Sequence, residues 1–285
     1  MKIGFIGAGK VGTNLASYFA DNGLIISGFF VRTDTSINEE IKKTKISYTA
    51  DLKDFIDKTD VIFITVNDDQ IRNVVEMVLH TQMDLSLKTF AHTSGSLSAH
   101  VLSPLKEKNA EVFTFHPLQT FSSCNITAKE LEEMHIFVEN NESTALIEIL
   151  EAIKNRYHVI DTRHKSQYHL AASVISNLTT GLIDFGLDLL DEIGMDRENS
   201  IEAFKPLILG TTNSILSKGP KAALTGPVSR GDMGTVKKHL ECLDGDSKLL
   251  YVLLAKKTLQ MSKDRITKEQ YDRLFQMLKE GENND

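Results

Sequence analysis

The chain has little cysteine: Cys124 and Cys242 stand far apart among 285 residues. With no Cys-x-x-Cys pair, a disulfide framework, a zinc knuckle and a dithiol redox centre are all disfavoured, and a reducing, cytoplasmic compartment fits best. Blocks of basic residues are missing too. The 32 Lys and Arg residues are outweighed by 39 Asp and Glu, for a formal net charge of −7, so neither nucleic acid nor an anionic membrane surface is an expected partner. Long apolar runs are also lacking. Leu249 to Ala255 is among the longest, well short of the roughly 18–20 residues that cross a bilayer. Near the N-terminus Gly4, Gly7, Gly9 and Lys10 interrupt the apolar residues almost at once, and no secretion signal is visible. The histidines include no His-Glu-x-x-His, and His164 and His169 lie five apart; no metal site is expected. Internal repeats and low-complexity segments are absent. What remains, 41% hydrophobic and 25% charged residues, is the composition of an average soluble protein with one large core or two ordinary domains.

Up to Asp161, short β-branched runs alternate with amphipathic segments, the pattern of a parallel sheet covered on both faces. The predicted strands run from Lys2 to Ile6, Ile25 to Val31, Val61 to Val66, Thr89 to His92, Val112 to Phe115, His135 to Val138 and His158 to Asp161. Helices are predicted from Val11 to Asn22, Leu52 to Lys58, Ile71 to His80, Leu97 to Lys108 and Ser143 to Arg156. After Asp161 the strand signal ends and the rest reads as helix broken by Gly and Pro. Lys165 to Ile193 is expected as one helix of about 29 residues, roughly 43 Å long. Further helices are expected from Ser200 to Ser217, Met233 to Leu243, Ser247 to Met261 and Lys268 to Lys279, with a frayed tail from Gly281. The expected fold class is therefore α/β. A Rossmann domain with a doubly wound, mostly parallel sheet would occupy residues 1–161, and an all-α substrate and dimerisation domain residues 162–285.

Gly7-Ala8-Gly9-Lys10-Val11-Gly12 fits G-x-G-x-x-G between a predicted strand and a predicted helix, the context that gives this pattern its meaning. Gly7 permits the tight turn, Gly9 lets a pyrophosphate approach the backbone, and Gly12 lets helix and strand pack closely. The helix N-terminus offers unpaired N–H groups to the phosphates. The second strand ends Val31-Arg32-Thr33, with Asp34 after the position where a carboxylate would bind a ribose 2′-hydroxyl. Arg32 and Thr33 suit a 2′-phosphate, so NADPH is the expected cofactor; the competing reading of Arg32 is a solvated surface residue. Loops after later strands should also line the cofactor. These carry Val66 and Asn67, then Thr93 and Ser94, with Asn67 and Ser94 nearest the nicotinamide end; Asn and Ser are equally suited to start the following helices.

The order of His92-Thr93-Ser94-Gly95, His116-Pro117-Leu118-Gln119-Thr120-Phe121, Tyr168-His169-Leu170-Ala171-Ala172, Asn177 and Leu224-Thr225-Gly226-Pro227-Val228-Ser229-Arg230-Gly231-Asp232 resembles a family of two-domain Rossmann-like proteins. The C-terminal half of that family was long catalogued as a domain of unknown function. The family is similar in plan to 6-phosphogluconate dehydrogenases and pyrroline-carboxylate reductases, and some members look like an alternative class of ketopantoate reductase used in pantothenate synthesis. The resemblance implies NADPH-dependent reduction of a small 2-keto acid and a homodimer built on the helical domain. One departure matters: related hydroxyacid dehydrogenases place Lys four residues before Asn on the long helix, and here Ser173 stands there. The proton donor must be sought elsewhere.

Lys165, His169, Ser173 and Asn177 recur at intervals of four and form a polar stripe on an otherwise apolar helix. His169 is the leading proton donor, since histidine titrates close to working pH, with Asn177 on the carbonyl oxygen and a small substrate near Ser173. The alternative is a buried imidazole with satisfied hydrogen bonds. Arg230 would hold a substrate carboxylate, oriented by Asp232, unless the two form only a structural pair in a tight turn. His116, held extended before Pro117, would face substrate or nicotinamide, with a structural role as the alternative. An NADP(H)-binding sensor without turnover, and reductases acting on an imine or a deazaflavin, are competing functions.

Overall fold

The structure is a computed structural model and describes residues 1–32, 46–139 and 142–283. Strands β1 (Lys2–Ile6), β2 (Ile25–Phe30), β3 (Tyr48–Thr49), β4 (Val61–Ile64), β5 (Thr89–His92), β6 (Glu111–Leu118), β7 (His135–Glu139) and β8 (Tyr157–Val159) form one sheet in the order β3-β2-β1-β4-β5-β6-β7-β8. All neighbours pair parallel except β6 and β7. The apolar runs form strands buried on both faces because helices cover each side. One face carries α1 (Lys10–Asp21), α5 (Ala128–Glu133) and α6 (Thr144–Ile153) around Phe5, Phe19, Phe63 and Phe115. There Phe19 meets Phe63 and Phe115 edge-on, at centroid distances of 5.5 and 5.8 Å. The other face carries α2 (Leu52–Asp57), α3 (Ile71–His80) and α4 (Ser103–Lys106) around Phe55, Ile62, Ile64 and Phe90. The chain turns from one side of β1 to the other between β3 and β4, and such a reversal opens a crevice at the carboxyl ends of β1 and β4.

The expected Rossmann architecture is present, with local differences. Strand β3 is too short to leave a pattern in the sequence. The helix expected from Leu97 to Lys108 is a 3-10 turn, Ala99–Leu102, followed by the short α4. Pro104 has no N–H and fits only a first helical turn, so α-helical bonding cannot run through it. The expected single helix from Lys165 to Ile193 is two segments, α7 (Lys165–Ile175) and α8 (Asn177–Asp191). They part at Ser176, with φ −107° and ψ −73°. Thr179 Oγ1 donates to the Ile175 carbonyl, a back-bond that bends helices.

The chain divides into two compact units, Met1–Thr179 and Thr180–Asp285, rather than at residues 161/162. The reason is that α7 belongs to the sheet: Lys165 Nζ lies 2.7 Å from Glu139 Oε1 at the end of β7, and Tyr168 stacks on Phe137 at 4.3 Å. Thr162–Asp191, with a mean hydropathy of 1.3, is by length and composition long and apolar enough to cross a membrane, although no unbroken apolar run in it is that long. Its first part nonetheless carries the buried ammonium of Lys165. The second unit is helical among the described residues. It comprises the rest of α8, then α9 (Arg197–Lys218), α10 (Pro220–Ala223), α11 (Pro227–Arg230), α12 (Met233–Glu241), α13 (Gly245–Met261) and α14 (Lys268–Asn283). Its core gathers Val228, Val236, Val252, Leu259, Leu274 and Leu278.

Candidate active site

The glycine-rich turn has the geometry its spacing suggests. Gly7 has φ +105°, a conformation glycine adopts without penalty. A Cβ on Gly12 would lie 2.4 Å from the Gly7 carbonyl oxygen and 2.5 Å from Thr65 Oγ1, whereas one on Gly9 would meet nothing within 4 Å among the described residues. Gly12 is therefore needed where helix crosses strand, and Gly9 leaves its backbone open to a ligand. Helix α1 starts without a side-chain cap and without an acidic residue in its first turn, so its N–H groups and dipole remain available to an anion. A cleft of about 270 Å³ opens beside this turn, lined by Gly7, Ala8, Gly9, Arg32, Val66 and Asn67 among others. Arg32 is exposed at the end of β2; Thr33 lies outside the described residues. A second cleft of about 540 Å³ shares Gly9, Thr65, Val66 and Asn67 with the first, and adds Lys10, Val11, Ser94, Gly95, Phe121 and His169.

The far wall of the second cleft is a polar network. Ser94 Oγ and Ser96 Oγ both donate to Asp68 Oδ2, at 2.7 and 2.6 Å. Ser94 Oγ also accepts from the N–H groups of Ser96 and Leu97, so Ser94 lines the cleft and also caps the turn. His92, fully buried, accepts from Ser94 N–H through Nδ1, and its Nε2 donates to the Ser98 carbonyl. This division of roles makes it neutral. Desolvation, then the nearby Lys165 ammonium, brings the His92 pKa down to about 4. The same causes in the same order hold His116 at about 4.

Behind this wall lie Glu139 and Lys165, with side chains 5% and 3% exposed. Nζ and Oε1 meet at ion-pair distance rather than in hydrogen-bond alignment, and neither atom has another hydrogen-bond partner among the described residues. Glu139 Oε2 accepts from Thr162 Oγ1 and Ala99 N–H. Burial lowers the Lys165 pKa, opposed by the carboxylate of Glu139. Phe121 reaches the cleft on a loop tied to α1 by Asn14, which donates to the Ser123 carbonyl and accepts from Ile126 N–H.

The structure thus brings Gly7, Ala8, Gly9, Lys10, Val11, Arg32, Val66, Asn67, Ser94 and His169 to two joined clefts, with Gly12 behind the turn and His116 beside Gly95. Ser173 is half-buried on α7, whereas Asn177 is exposed beyond the break at Ser176, so the unbroken polar stripe stops at Ser173. Arg230 and Asp232 belong to the second unit, where Arg230 is exposed. The Asp232 carboxylate caps α12, accepting from Thr235 N–H and Thr235 Oγ1; those bonds, and after them the charge of Arg230, lower its pKa. Glu139 had no place in the site expected from sequence, and Asp68, Lys165 and Tyr168 had no assigned role in it. No spacing in the chain announces that residue 139 pairs with residue 165.

Residues 1–117 match the model of a Rossmann-like domain and residues 134–258 match that of a domain of unknown function, DUF2520. A Rossmann-like domain is thus joined to a DUF2520 domain. The second match begins ahead of β7, so the DUF2520 region takes in β7 and β8 of the sheet as well as helices. Among solved structures, BF3122 from Bacteroides fragilis, described as a "putative NADP oxidoreductase", is 27% identical, covering 91% of this chain and 98% of its own, with a TM-score of 0.73. TM1727 from Thermotoga maritima shares the fold at 23% identity and TM-score 0.70, over 92% of this chain and 98% of its own. A reductive aminase from Aspergillus terreus, solved with NADPH and ethyl-5-oxohexanoate, shares the fold at 16% identity and TM-score 0.58, over 98% and 92% of the two chains. No curated protein matches the sequence.

The lowered histidines make stability depend on pH. Between their ordinary pKa of about 6.5 and about 4, the unfolded chain binds protons that folded His92 and His116 refuse, so stability present above pH 6.5 is lost as the pH falls towards 4. The contribution of His92 is on the order of 3 kcal/mol at most. Urea unfolding of the parent and of His92→Gln between pH 7 and 4 measures this, and the variant is expected to lose less stability over that range. An equal loss in both would overturn the assignment.

Proposed function

We propose that the protein is an NADPH-dependent reductase of a small carbonyl compound, a 2-keto acid, with ketopantoate as the specific candidate. The observation that carries this reading is His169 Nδ1, which is buried, has no hydrogen-bond partner among the described residues, and belongs to a residue lining a cleft continuous with the glycine-rich turn. A reduction needs a proton source beside the place where reducing equivalents arrive. The chain fits the cofactor: the α1 N-terminus and the open backbone of Gly9 suit a pyrophosphate, and Arg32 suits a 2′-phosphate. When bound, NADPH supplies the hydride that reduces the carbonyl carbon. Asn67 and Ser94 shape the end of the cleft where the reacting carbon sits, Phe121 excludes water, and His169 gives its proton to the carbonyl oxygen, leaving the hydroxy acid. The fold relatives and the BF3122 match support NADP-dependent reduction in general. The keto acid rests on the family resemblance. A cytoplasmic setting follows from the same reading.

Arg32→Ala is expected to cost NADPH about 1.5–3 kcal/mol of binding relative to NADH, the range of a charged hydrogen bond. Titration of both nucleotides checks it, and equal affinities in the parent would sink the NADPH assignment.

For turnover, oxidation of NADPH is followed against a panel of 2-keto acids, ketopantoate included, and cyclic imines. His169→Ala is expected to lower kcat by about 10²–10⁴, the range of a general acid, and to change KM little. No turnover of ketopantoate by the parent removes that substrate, while an unchanged kcat removes His169 as donor.

We also propose that the second unit forms a homodimer. Helix α9 buries only Ser200 among its 22 residues, and Ile193, Leu207 and Leu216 are 73%, 63% and 79% exposed, more apolar surface than a stable monomer ordinarily leaves to water. Light scattering at micromolar concentration should give about twice the 31.8 kDa of one chain; a monomer would refute the assembly.

A further inference from the structure

Gly95 lies beneath two imidazoles. A Cβ on it would be 2.6 Å from His169 Nδ1 and 2.7 Å from His116 Nε2, so nitrogens carried by α7 and β6 converge on one point beside the cleft that Gly95 and His169 line. They do not bond to each other. His169 Nδ1 has no hydrogen-bond partner among the described residues, and the two rings meet edge-on with centroids 6.2 Å apart. The remaining nitrogen of His116, Nδ1, is 2.6 Å from the Tyr168 hydroxyl oxygen. Tyr168 is itself held against Phe137, its ring stacked at 4.3 Å, and stands nearly perpendicular to the His116 ring.

The direction of the Tyr168–His116 hydrogen bond follows from what each group must satisfy. The phenol has one proton to place, and His116 Nδ1 is the acceptor within reach. If Nδ1 carried the proton instead, it would donate to the phenol oxygen, and the phenol hydrogen would have no other acceptor among the described residues. Burial raises the Tyr168 pKa, so the phenol keeps its proton. Burial, then Lys165 and His169, with His92 adding to them against the opposing charge of Asp68, lowers that of His116. A neutral imidazole that accepts at Nδ1 carries its hydrogen at Nε2.

We infer that Tyr168 is a positioning residue that locks His116 in the Nε2–H tautomer, so that His116 through Nε2–H and His169 through Nδ1–H present two N–H donors to a single acceptor atom of the substrate above Gly95. The inference rests on the reductase reading and narrows its substrate class. A carbonyl oxygen has two lone pairs and accepts both donors, and both bonds strengthen as negative charge develops on it. An imine nitrogen has one lone pair, and an iminium nitrogen has none. The seat therefore selects ketones and aldehydes over imines, and a side chain at Gly95 would collide with both rings and push them away from it.

Two-bond ¹⁵N–¹H correlation spectra of the full-length labelled protein at neutral pH read the tautomer without turnover. The expected spectrum shows His116 protonated at Nε2 with a pyridine-like Nδ1, and Tyr168→Phe is expected to mix the two tautomers. In steady-state kinetics with NADPH, Tyr168→Phe should lower kcat on a 2-keto acid about 10-fold, as loss of an aligned donor does, with KM within about 2-fold. Parent kcat/KM should favour the keto acid over a cyclic imine by about 100-fold or more. A proton on His116 Nδ1 in the parent, an unchanged kcat in Tyr168→Phe, or imine turnover matching that of the keto acid would each overturn the seat. If the parent reduces neither class of substrate, the reductase reading falls and takes the seat's role with it; a proton on Nδ1 overturns the seat alone.

Discussion

The contact on which the site depends is the buried pair of Glu139 and Lys165. Two charges with side chains about 95% removed from solvent are expensive to bury, several kcal/mol per ion even after relaxation. Their attraction, together with the Thr162 and Ala99 bonds to the carboxylate, offsets that expense only in this one arrangement. Removing either partner alone leaves an uncompensated charge and typically costs about 3–5 kcal/mol. Such a pair is a poor source of net stability and a strict specifier of geometry. It pins the first turn of α7 to the end of β7, and everything that α7 contributes to the cleft follows from that anchor.

One helical turn beyond Lys165, Tyr168 and His169 fall beside β6 and the Ser94–Gly95 turn. The ammonium then acts at a distance as well as by contact. It opposes protonation of both His92 and His116, so the site holds two neutral imidazoles with assigned tautomers in a region also containing the carboxylate of Asp68. His92 spends its two nitrogens on the Ser94–Ser98 turn and shapes the backbone. His116 spends one on Tyr168 and keeps the other facing Gly95. Neighbouring residues of one type thus have separate tasks, set by which partner each nitrogen meets.

The nucleotide half of the cleft was legible in the chain because its determinants are local. A strand, a turn needing φ > 0 at Gly7, a crossing too tight for any side chain at Gly12, and a helix start all lie within a dozen residues, and each leaves its own mark on the sequence. The same holds for the strands of the sheet interior, whose burial on both faces requires unbroken apolar runs. Where a local signal was weak or overridden, the reading slipped. Pro104 divided a helix, a back-bond from Thr179 helped bend another at Ser176, and the two residues of β3 are too few to show a period.

The sequence by itself determined a doubly wound sheet with a dinucleotide turn, a cation at the end of β2, and His169 on a polar stripe of a helix. Only the tertiary structure decided that this helix begins as part of the sheet unit, that Glu139 and Lys165 pair although 26 positions apart in the chain, and that Tyr168, His116 and His169 gather around Gly95. The physical reason is that helical and strand periods record which face of an element is buried. The partner of a buried charge or the tautomer of an imidazole depends on which atoms arrive from elsewhere in the chain, and no period encodes that.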